Sequence, residues 1–226
     1  MFKLTQRVRK HLKCGCWMPG ILRRILTGAS ASHKNFEVER KYSTTSAERD
    51  NLPGKLLSMG FRCAGQAYMK DVFVPAETEG DMIRVREETM NDRTKILLTL
   101  KTWEQVEGGR ERREDEEEVS SLVRNTLLEV GTRLAGGKLL TFSKERDLYT
   151  RTQDGRKVTV SLDTVEGLGE YSGLYMEIEF LVQRKCDVKA AREAIQVLVT
   201  ELLGEGRQQV EMSYMDMLKR ASGQES

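Results

Sequence analysis

The stretch Phe36-Glu-Val-Glu-Arg-Lys-Tyr42 decides the fold, because charged and apolar residues alternate along it. Successive side chains of a β-strand point to opposite faces of the sheet. As a strand, this stretch places Glu37, Glu39 and Lys41 on one face and its apolar residues on the other. The sequence therefore predicts a strand with one apolar face and one ionisable face.

Six further runs show similar alternation and are predicted to be strands. They are Gln66–Val74, Asp81–Glu88, Lys95–Trp103, Leu139–Thr150, Lys157–Asp163 and Leu174–Val182. The middle strands carry mainly cations on their polar faces, namely Arg84, Arg86, Lys101, Lys144 and Arg146. The first and last strands carry mainly carboxylates, which on the last strands are Asp163, Glu177 and Glu179. A solvent-facing surface has no need to sort its charges in this way.

Apolar spacing near 3.6 residues predicts four helices. They cover Ala47–Gly60, Glu116–Val130, Val188–Leu203 and Tyr214–Arg220, with Gly131 and Gly204 as stop signals after the second and third. The acid-rich run Glu111–Glu118 is interpreted as a solvated connector into the second helix, because negative charge suits a helix start.

Two arrangements of these elements fit the alternation. In one, an antiparallel sheet keeps its charged face in water. In the other, the sheet closes into a barrel, so that the charges line a polar lumen and the apolar faces support helices outside. We favour the closed barrel, an α+β fold. Charges inside it need compensation, which a polyanion and divalent metal ions would supply.

The first 36 residues differ in charge from the rest of the chain. They hold eight of the 37 Lys and Arg residues and no acid, which leaves 29 cations against 35 acids in the remainder. This acidic balance argues against a nucleic-acid-binding surface on the body. The 226 residues are accordingly divided into a basic leader (1–34), one folded domain (35–220) and a tail (221–226).

Three interpretations of the leader stay open. Leu4, Val8 and Leu12 recur at helical spacing among basic residues, which is typical of an organellar transit segment or of a helix on an anionic membrane surface. A disordered basic tail has the same composition. The partners expected for the leader are an anionic membrane or an import machinery. The expected location is intracellular: cytoplasmic, or mitochondrial if the leader is a transit segment.

Histidine and cysteine usage excludes several kinds of site. The two histidines, His11 and His33, both lie in the leader, so the body has no Ser-His-Asp triad and no histidine-based metal centre. The four cysteines include no second closely spaced pair, which argues against a zinc site. Cys63 and Cys186 are interpreted as buried, reduced residues of an intracellular chain.

The ordered set of charged motifs resembles the CYTH superfamily, also called the triphosphate tunnel metalloenzymes. Glu37-Val-Glu-Arg-Lys41 matches the ExExK signature of that superfamily. It is followed in order by Ile83-Arg-Val-Arg-Glu87, Leu98-Thr-Leu-Lys101, Lys144-Glu-Arg146, Leu162-Asp163 and Met176-Glu-Ile-Glu179. The stretches from Leu162 to Gly169 and from Ser213 to Leu218 are similar to the class IV adenylyl cyclase branch. The resemblance extends from about Asn35 to Leu218.

The resemblance implies an eight-stranded antiparallel tunnel that binds a triphosphate together with Mg²⁺ or Mn²⁺. Carried over by position, the substrate-binding residues are Lys41, Arg84, Arg86, Lys101, Lys144 and Arg146. The implied metal ligands are Glu37, Glu39, Asp163, Glu177 and Glu179, and the residues assigned to catalysis are Glu37, Glu39 and Lys41. Asp71 is left out, because this chain has Asp71-Val-Phe-Val74 where relatives carry an Asp-x-Tyr-Phe-like element.

Two reactions and one binding function follow from the resemblance. Metal-dependent hydrolysis of a small-molecule triphosphate (inorganic tripolyphosphate, thiamine triphosphate or a nucleotide) is favoured, because it requires only a grip on the triphosphate. The alternative is a class IV-type adenylyl cyclase that makes cyclic AMP and pyrophosphate from ATP, although no adenine-reading residue is identifiable. A non-catalytic polyphosphate-binding module is less favoured, because such a module does not need metal-holding carboxylates.

Overall fold

The structure is a computed structural model that describes residues 36–76, 81–106, 109–153 and 155–224. The leader assigned to residues 1–34 lies outside these ranges. The strands are β1 (Phe36–Ser43), β2 (Arg62–Val74), β3 (Met82–Met90), β4 (Arg93–Val106), β5 (Gly109–Glu118), β6 (Leu140–Gln153), β7 (Arg156–Glu166) and β8 (Gly173–Val182). The α-helices are α1 (Ser46–Ser58), α2 (Ser121–Leu134), α3 (Val188–Leu203) and α4 (Tyr214–Ala221).

The eight strands form one closed antiparallel barrel in the order β1-β5-β4-β3-β2-β6-β7-β8. The α+β fold with a closed eight-stranded tunnel and helices packed outside is thereby confirmed. Strand pairing is extensive between β1 and β8, where eight residue pairs face each other. The seam between β1 and β5 is the shortest, with two pairs, Phe36–Arg113 and Glu37–Arg112.

The prediction for the acid-rich run Glu111–Glu118 is wrong, because these residues form most of β5. Acidic residues have low strand propensity, which conceals this strand in the sequence. The strand forms because it pairs along its whole length with β4 and its acids meet cations of β3 and β4. Helix α2 consequently begins at Ser121 rather than at Glu116, and the Ser120 hydroxyl accepts a hydrogen bond from the Val123 N–H to cap it.

Three apolar clusters support the helices, and the one beneath α4 includes Val165, Leu168 and Met217. The other two form layers outside the barrel. The larger layer lies between α1, α3 and the outward faces of β1, β7 and β8, and includes Val38, Leu52, Val160, Ile178 and Ile195. The smaller layer lies beneath α2 and includes Val74, Val85, Leu98 and Leu127. Because the strands give their apolar faces to these layers, their charged faces are left to line the lumen.

Gly131 lies inside α2 and does not end it, contrary to the stop signal expected there. A Cβ atom at this position would lie 2.9 Å from Cγ1 of Val74 on β2. A glycine is needed here because helix and sheet approach each other closely. Helix α3, by contrast, ends at Leu203 directly before Gly204, as predicted.

Cys63 and Cys186 are both exposed, so the expectation of burial is wrong. Cys63 lies at a register shift near the start of β2, and Cys186 lies in the short 3₁₀ turn Lys185–Asp187 before α3. Neither place belongs to an apolar layer. None of the helices in the described ranges has both the length and the apolar character needed to span a bilayer.

Candidate active site in the tunnel

The charged strand faces meet inside the barrel, where they line a cavity of about 690 Å³. Ten of the eleven residues assigned from the sequence line this cavity. They are Glu37, Glu39, Lys41, Arg84, Arg86, Lys101, Lys144, Arg146, Glu177 and Glu179. The exception is Asp163, which lies on the lumen face of β7 but is fully buried beneath Lys144, Arg146 and Tyr214.

The cavity has a cation-rich wall formed mainly by β3 and β6. Arg86 is held there by a bidentate ion pair with Asp71, with Nε–Oδ1 and Nη2–Oδ2 distances of 2.6 and 2.7 Å. Burial opposes the charge on Asp71, but the adjacent Arg86 guanidinium holds the pKa of that carboxyl well below its usual range. Asp71 therefore lines the cavity beside Arg86, although the motif comparison left it out of the predicted site.

Asp163 supports the cations of β6 from the neighbouring strand β7. Its carboxylate accepts hydrogen bonds from Arg146 at 2.7 Å, from Lys144 at 2.8 Å and from the Tyr214 hydroxyl at 3.2 Å. Arg146 is also ion-paired with Glu177. Both oxygens of Asp163 are thus occupied by protein donors, which leaves the residue no contact with the cavity.

The opposite wall, formed by β1, β5 and β8, is rich in carboxylates. Glu39 and Glu179 are direct cross-strand partners on β1 and β8. Glu37 and Glu114 share one cation, because Lys101 Nζ lies 2.6 Å from Glu37 and 2.9 Å from Glu114. Of the four carboxylates on this wall, Glu37 and Glu114 thus contact Lys101 of β4, whereas Glu39 and Glu179 face each other.

Burial and mutual repulsion shift the pKa values on this acidic wall. Burial raises the pKa of Glu179 to about 7, with a further contribution from the charge on Glu39. Burial likewise raises the pKa of Glu37 well above its usual range, despite the nearby Lys101 ammonium. Burial also acts against the charge on Glu39, but Lys101 and Lys41 lower its pKa to about 2. At neutral pH the wall therefore holds at least one ionised carboxylate beside others that protonate readily.

This donor set fits a hard divalent cation. Mg²⁺ and Mn²⁺ prefer carboxylate oxygens, and a cation between Glu39 and Glu179 would remove the repulsion that raises the pKa of Glu179. Within the part of the chain that the structure describes, no three Asp, Glu, His or Cys side chains form a preassembled metal site. Mg²⁺ commonly binds through one or two carboxylates plus substrate phosphates and water, so a preassembled three-residue site is not required.

One end of the lumen is filled by apolar and aromatic side chains. Phe73 and Phe142 stack there with ring centroids 5.9 Å apart, and Tyr214 at the start of α4 packs on Phe142 at 5.3 Å. Lys41 lies over the Tyr214 ring at 3.7 Å and donates to the Met212 carbonyl at 3.0 Å. Burial lowers the pKa of the Lys41 amine. The C-terminal segment therefore packs against this end of the lumen and holds Lys41 in place.

Trp103, Arg110 and Arg112 also line the cavity, near the C-terminal end of β4 and the N-terminal end of β5, at the barrel end that carries Phe73 and Phe142. Trp103 follows Lys101 by two residues on β4, and Arg112 faces it directly on β5. The guanidinium carbons of Arg112 and Arg110 lie 4.8 and 5.7 Å from the centre of the indole ring. This part of the lumen wall therefore combines an indole ring with two guanidinium groups.

Sequence reasoning missed several lumen residues, for two different reasons. Glu114, Arg110 and Arg112 were missed because β5 was interpreted as a connector; the alternation Arg110-x-Arg112-x-Glu114 was the available signal. Tyr214 was missed because its role depends on where α4 docks, which no strand periodicity reveals.

The raised pKa of Glu179 predicts how stability depends on pH in the absence of metal. A glutamate in the unfolded chain titrates near pH 4.3. Folding favours the protonated form of Glu179, so protonation of this residue stabilises the folded protein. That stabilisation is complete below about pH 4.3 and is lost as the pH rises through about 7. We expect the free energy of unfolding in chelator to fall by about 3 kcal/mol between pH 5 and 8, measured by urea denaturation.

Glu179→Gln imitates the protonated side chain and should flatten this pH profile. The exposed Glu201 on α3 offers a matched control, and Glu201→Gln should retain the wild-type slope. An unchanged slope in Glu179→Gln would show that Glu179 is ionised throughout this range.

Comparison with known proteins identifies the family. A family model described as the CYTH domain matches residues 35–214. Among solved structures, the PH1819 protein from Pyrococcus horikoshii OT3 is 26% identical with a TM-score of 0.64, covering 82% of this chain and 99% of that chain. A search of curated protein sequences gave no match.

Two further structures share the fold at lower identity. A protein from Vibrio parahaemolyticus, described as an adenylate cyclase candidate, is 17% identical with a TM-score of 0.59, covering 82% of this chain and 99% of its own. An adenylyl cyclase candidate from Hippeastrum, described as having a dominant triphosphatase activity, is 19% identical with a TM-score of 0.52, covering 85% and 97%. The family model accounts for most of the sequence, and this protein therefore belongs to the CYTH domain family.

Proposed function

We propose that this protein is a divalent-metal-dependent hydrolase that removes the terminal phosphate of a triphosphate. The observation that carries the proposal is the separation of charge inside one cavity, with a cation-rich wall facing a carboxylate-rich wall. A triphosphate chain suits the first wall, and the metal ion that neutralises its charge suits the second. A neutral substrate does not require both a cation-rich wall and a metal-binding wall.

The cation-rich wall binds the phosphate oxygens. Arg84 donates from Nη2 to Thr99 and Glu114, whereas its Nε is buried without a hydrogen-bond partner among the described residues. A buried donor without an acceptor is rare in proteins, and a phosphate oxygen would satisfy it. Arg86, Lys144 and Arg146 complete this wall, with their side chains fixed by Asp71 and Asp163.

On the carboxylate-rich wall, Glu39 and Glu179 would hold the metal ion. The ion would supply charge neutralisation of the phosphate oxygens. Glu177 is ion-paired with Arg146, and Asp163 is bound by three donors, so in this proposal both residues position cations. This differs from the metal-binding role that the family resemblance implies for them.

Hydrolysis requires a water molecule in line with the terminal phosphorus. The water oxygen forms a bond to phosphorus, the bond to the bridging oxygen breaks, and orthophosphate and the shortened phosphate chain leave. Glu37 is suited to accept the proton of the water, because burial raises the pKa of its carboxyl and so makes the carboxylate a stronger base than that of a solvated glutamate. The buried Lys41, which lies over the Tyr214 ring, is placed to stabilise negative charge at that side of the cavity.

A panel of substrates tests the reaction. Tripolyphosphate, thiamine triphosphate and ATP are incubated with the protein and Mg²⁺ or Mn²⁺, and the products are separated. We expect orthophosphate to be released from tripolyphosphate, with no turnover in chelator. Cyclic AMP and pyrophosphate as the main products of ATP, with tripolyphosphate untouched, would establish the cyclase instead. Tight binding without turnover of any triphosphate would establish a binding module.

For the leader, we propose a role in targeting or membrane attachment that is separate from catalysis. Charge and composition both change near Asn35, so a chain that begins near Ser32 should keep full activity in solution. Residues 1–34 fused to a fluorescent protein should direct it to mitochondria or to an anionic membrane. A truncated protein that folds but loses catalysis would assign the leader to the active site. A fusion protein that stays diffuse in the cell would exclude a targeting role for the leader.

A further inference from the structure

Lys41 is held in the tunnel differently from other cations of the lumen. Arg86, Lys101 and Arg146 each form ion pairs with carboxylates. Lys41 is 6% exposed, yet within the part of the chain that the structure describes its ammonium forms no ion pair. Glu177 faces Lys41 directly across the pairing of β1 and β8, but its carboxylate is ion-paired with Arg146. The buried Lys41 ammonium therefore depends on contacts of another kind.

The segment that leads into α4 supplies these contacts. The Met212 carbonyl accepts a hydrogen bond from Lys41 Nζ at 3.0 Å, and the centre of the Tyr214 ring lies 3.7 Å from the same nitrogen. An aromatic ring face attracts a cation, and the attraction is strongest where water is excluded. Tyr214 is buried, so this condition is met. The ring therefore fixes the ammonium without neutralising its charge, and a phosphate oxygen can still bind to it.

Tyr214 is itself fixed from several sides. Its hydroxyl donates to the Asp163 carboxylate at 3.2 Å, and its ring packs on Phe142 and Tyr175 with centroid distances of 5.3 and 5.6 Å. Ser213 directly before it caps α4, which fixes the direction in which the chain enters the helix. The Tyr214 ring is therefore a rigid support for the cation above it.

A second ammonium lies near the same ring. Lys144 Nζ is 5.0 Å from the centre of the Tyr214 ring, and it also forms an ion pair with Asp163 at 2.8 Å. Because Lys144 has this carboxylate, it depends less on the ring than Lys41 does. Loss of the ring should consequently affect Lys41 first.

We infer that Tyr214 is a positioning residue, which acts on the triphosphate through Lys41. The inference rests on the proposed binding of a triphosphate in the tunnel. In this arrangement Lys41 supplies the charge, the Tyr214 ring determines where that charge lies, and the hydroxyl bound to Asp163 orients the ring. The ring should accordingly matter more than the hydroxyl.

A double-mutant cycle in the full-length protein tests whether Tyr214 acts through Lys41. Tyr214→Met keeps a flexible apolar side chain in the cluster beneath α4 but removes the ring, and Lys41→Met removes the charge. Binding of tripolyphosphate is measured by calorimetry with Ca²⁺, and kcat/KM is measured with Mg²⁺. Tyr214→Met should lower both affinity and kcat/KM about tenfold in the wild type. In the Lys41→Met protein, the same change should lower them less than about twofold, because the two residues are coupled.

Two further variants separate positioning from support of the fold. Tyr214→Phe keeps the ring and loses the hydrogen bond to Asp163, so it should retain kcat/KM within about threefold of the wild type. Tyr149→Met is the matched control, because Tyr149 is a buried tyrosine of the larger apolar layer and does not line the cavity. This control should lower the melting temperature but leave affinity and kcat/KM unchanged.

Two outcomes would overturn the inference. Equal losses from Tyr214→Met with and without Lys41 would show that the tyrosine acts independently of this lysine. A loss in Tyr214→Phe as large as that in Lys41→Met would assign the effect to the hydroxyl and not to the ring.

Failure of the proposed function would be recognised separately, because the wild type would then neither bind nor cleave tripolyphosphate. Urea denaturation of the same variants gives the cycle without any ligand. Coupled losses of stability for Lys41→Met and Tyr214→Met would still support the contact between ring and ammonium, whereas additive losses would contradict it.

Discussion

Glu179→Gln is expected to lower kcat for triphosphate hydrolysis by at least about 100-fold while the barrel stays folded. Glu179 faces Glu39 across the seam between β1 and β8, and their repulsion contributes to its raised pKa. A metal ion placed between them needs both charges, and glutamine keeps the shape of the side chain but removes its charge. The loss should be visible in initial rates at saturating tripolyphosphate.

The same substitution should make the metal-free protein more stable at pH 8, because it removes a buried negative charge. Loss of activity with a gain in stability distinguishes a metal-binding group from a structural one. Calorimetric titration should show weaker Mg²⁺ binding in Glu179→Gln, whereas Glu201→Gln should match the wild type. Near-normal turnover of Glu179→Gln at limiting Mg²⁺ would exclude Glu179 as a metal ligand.

Glu177→Gln provides a sharp comparison, because the sequence assigns both glutamates to the metal. Glu177 is ion-paired with Arg146 and lies within 3.8 Å of Lys144. Its replacement should mainly change KM for the triphosphate, since it alters the position of Arg146. Equal effects of both substitutions on Mg²⁺ affinity would restore the original assignment.

The fold was largely predictable because strand alternation is a local signal. Seven strands and the apolar faces beneath the helices could be inferred from residue spacing, starting at Phe36–Tyr42. β5 was not predictable in this way, because its acids are stabilised by cations on other strands, such as Arg84 and Lys101. Its formation is a consequence of tertiary pairing.

The site was predictable as a set of residues, but the pairings within it were not. Alternation places Glu37, Glu39 and Lys41 on one face, and the structure shows all three in the cavity. Which carboxylate faces which cation depends on barrel order and register, and these are properties of the whole sheet. Asp71 illustrates this point, because its partner Arg86 becomes evident only once β2 and β3 are paired.

Arg86→Met is expected to destabilise the protein by roughly 3–5 kcal/mol. Considered from the sequence alone, this substitution should relieve repulsion among cations in the empty tunnel and raise stability. The structure instead predicts a loss of stability, because Arg86 forms a bidentate ion pair with the carboxylate of Asp71, which is 1% exposed. Removing the guanidinium leaves Asp71 buried beside Arg84, which lies at 3.8 Å and replaces little of the lost contact. A thermal melt should show a decrease of about 10 °C.

The double variant Asp71→Leu/Arg86→Met separates the two roles of Arg86. Replacing both members of a buried ion pair with apolar residues avoids the unpaired charge, so most of the lost stability should return. Triphosphate binding should stay weak, because the guanidinium that faces the cavity is still missing. Arg133→Met on the exposed face of α2 serves as the control and should change neither property. If the double variant regains both stability and triphosphate affinity, Arg86 is a structural residue and the phosphates are held by the other cations of the wall.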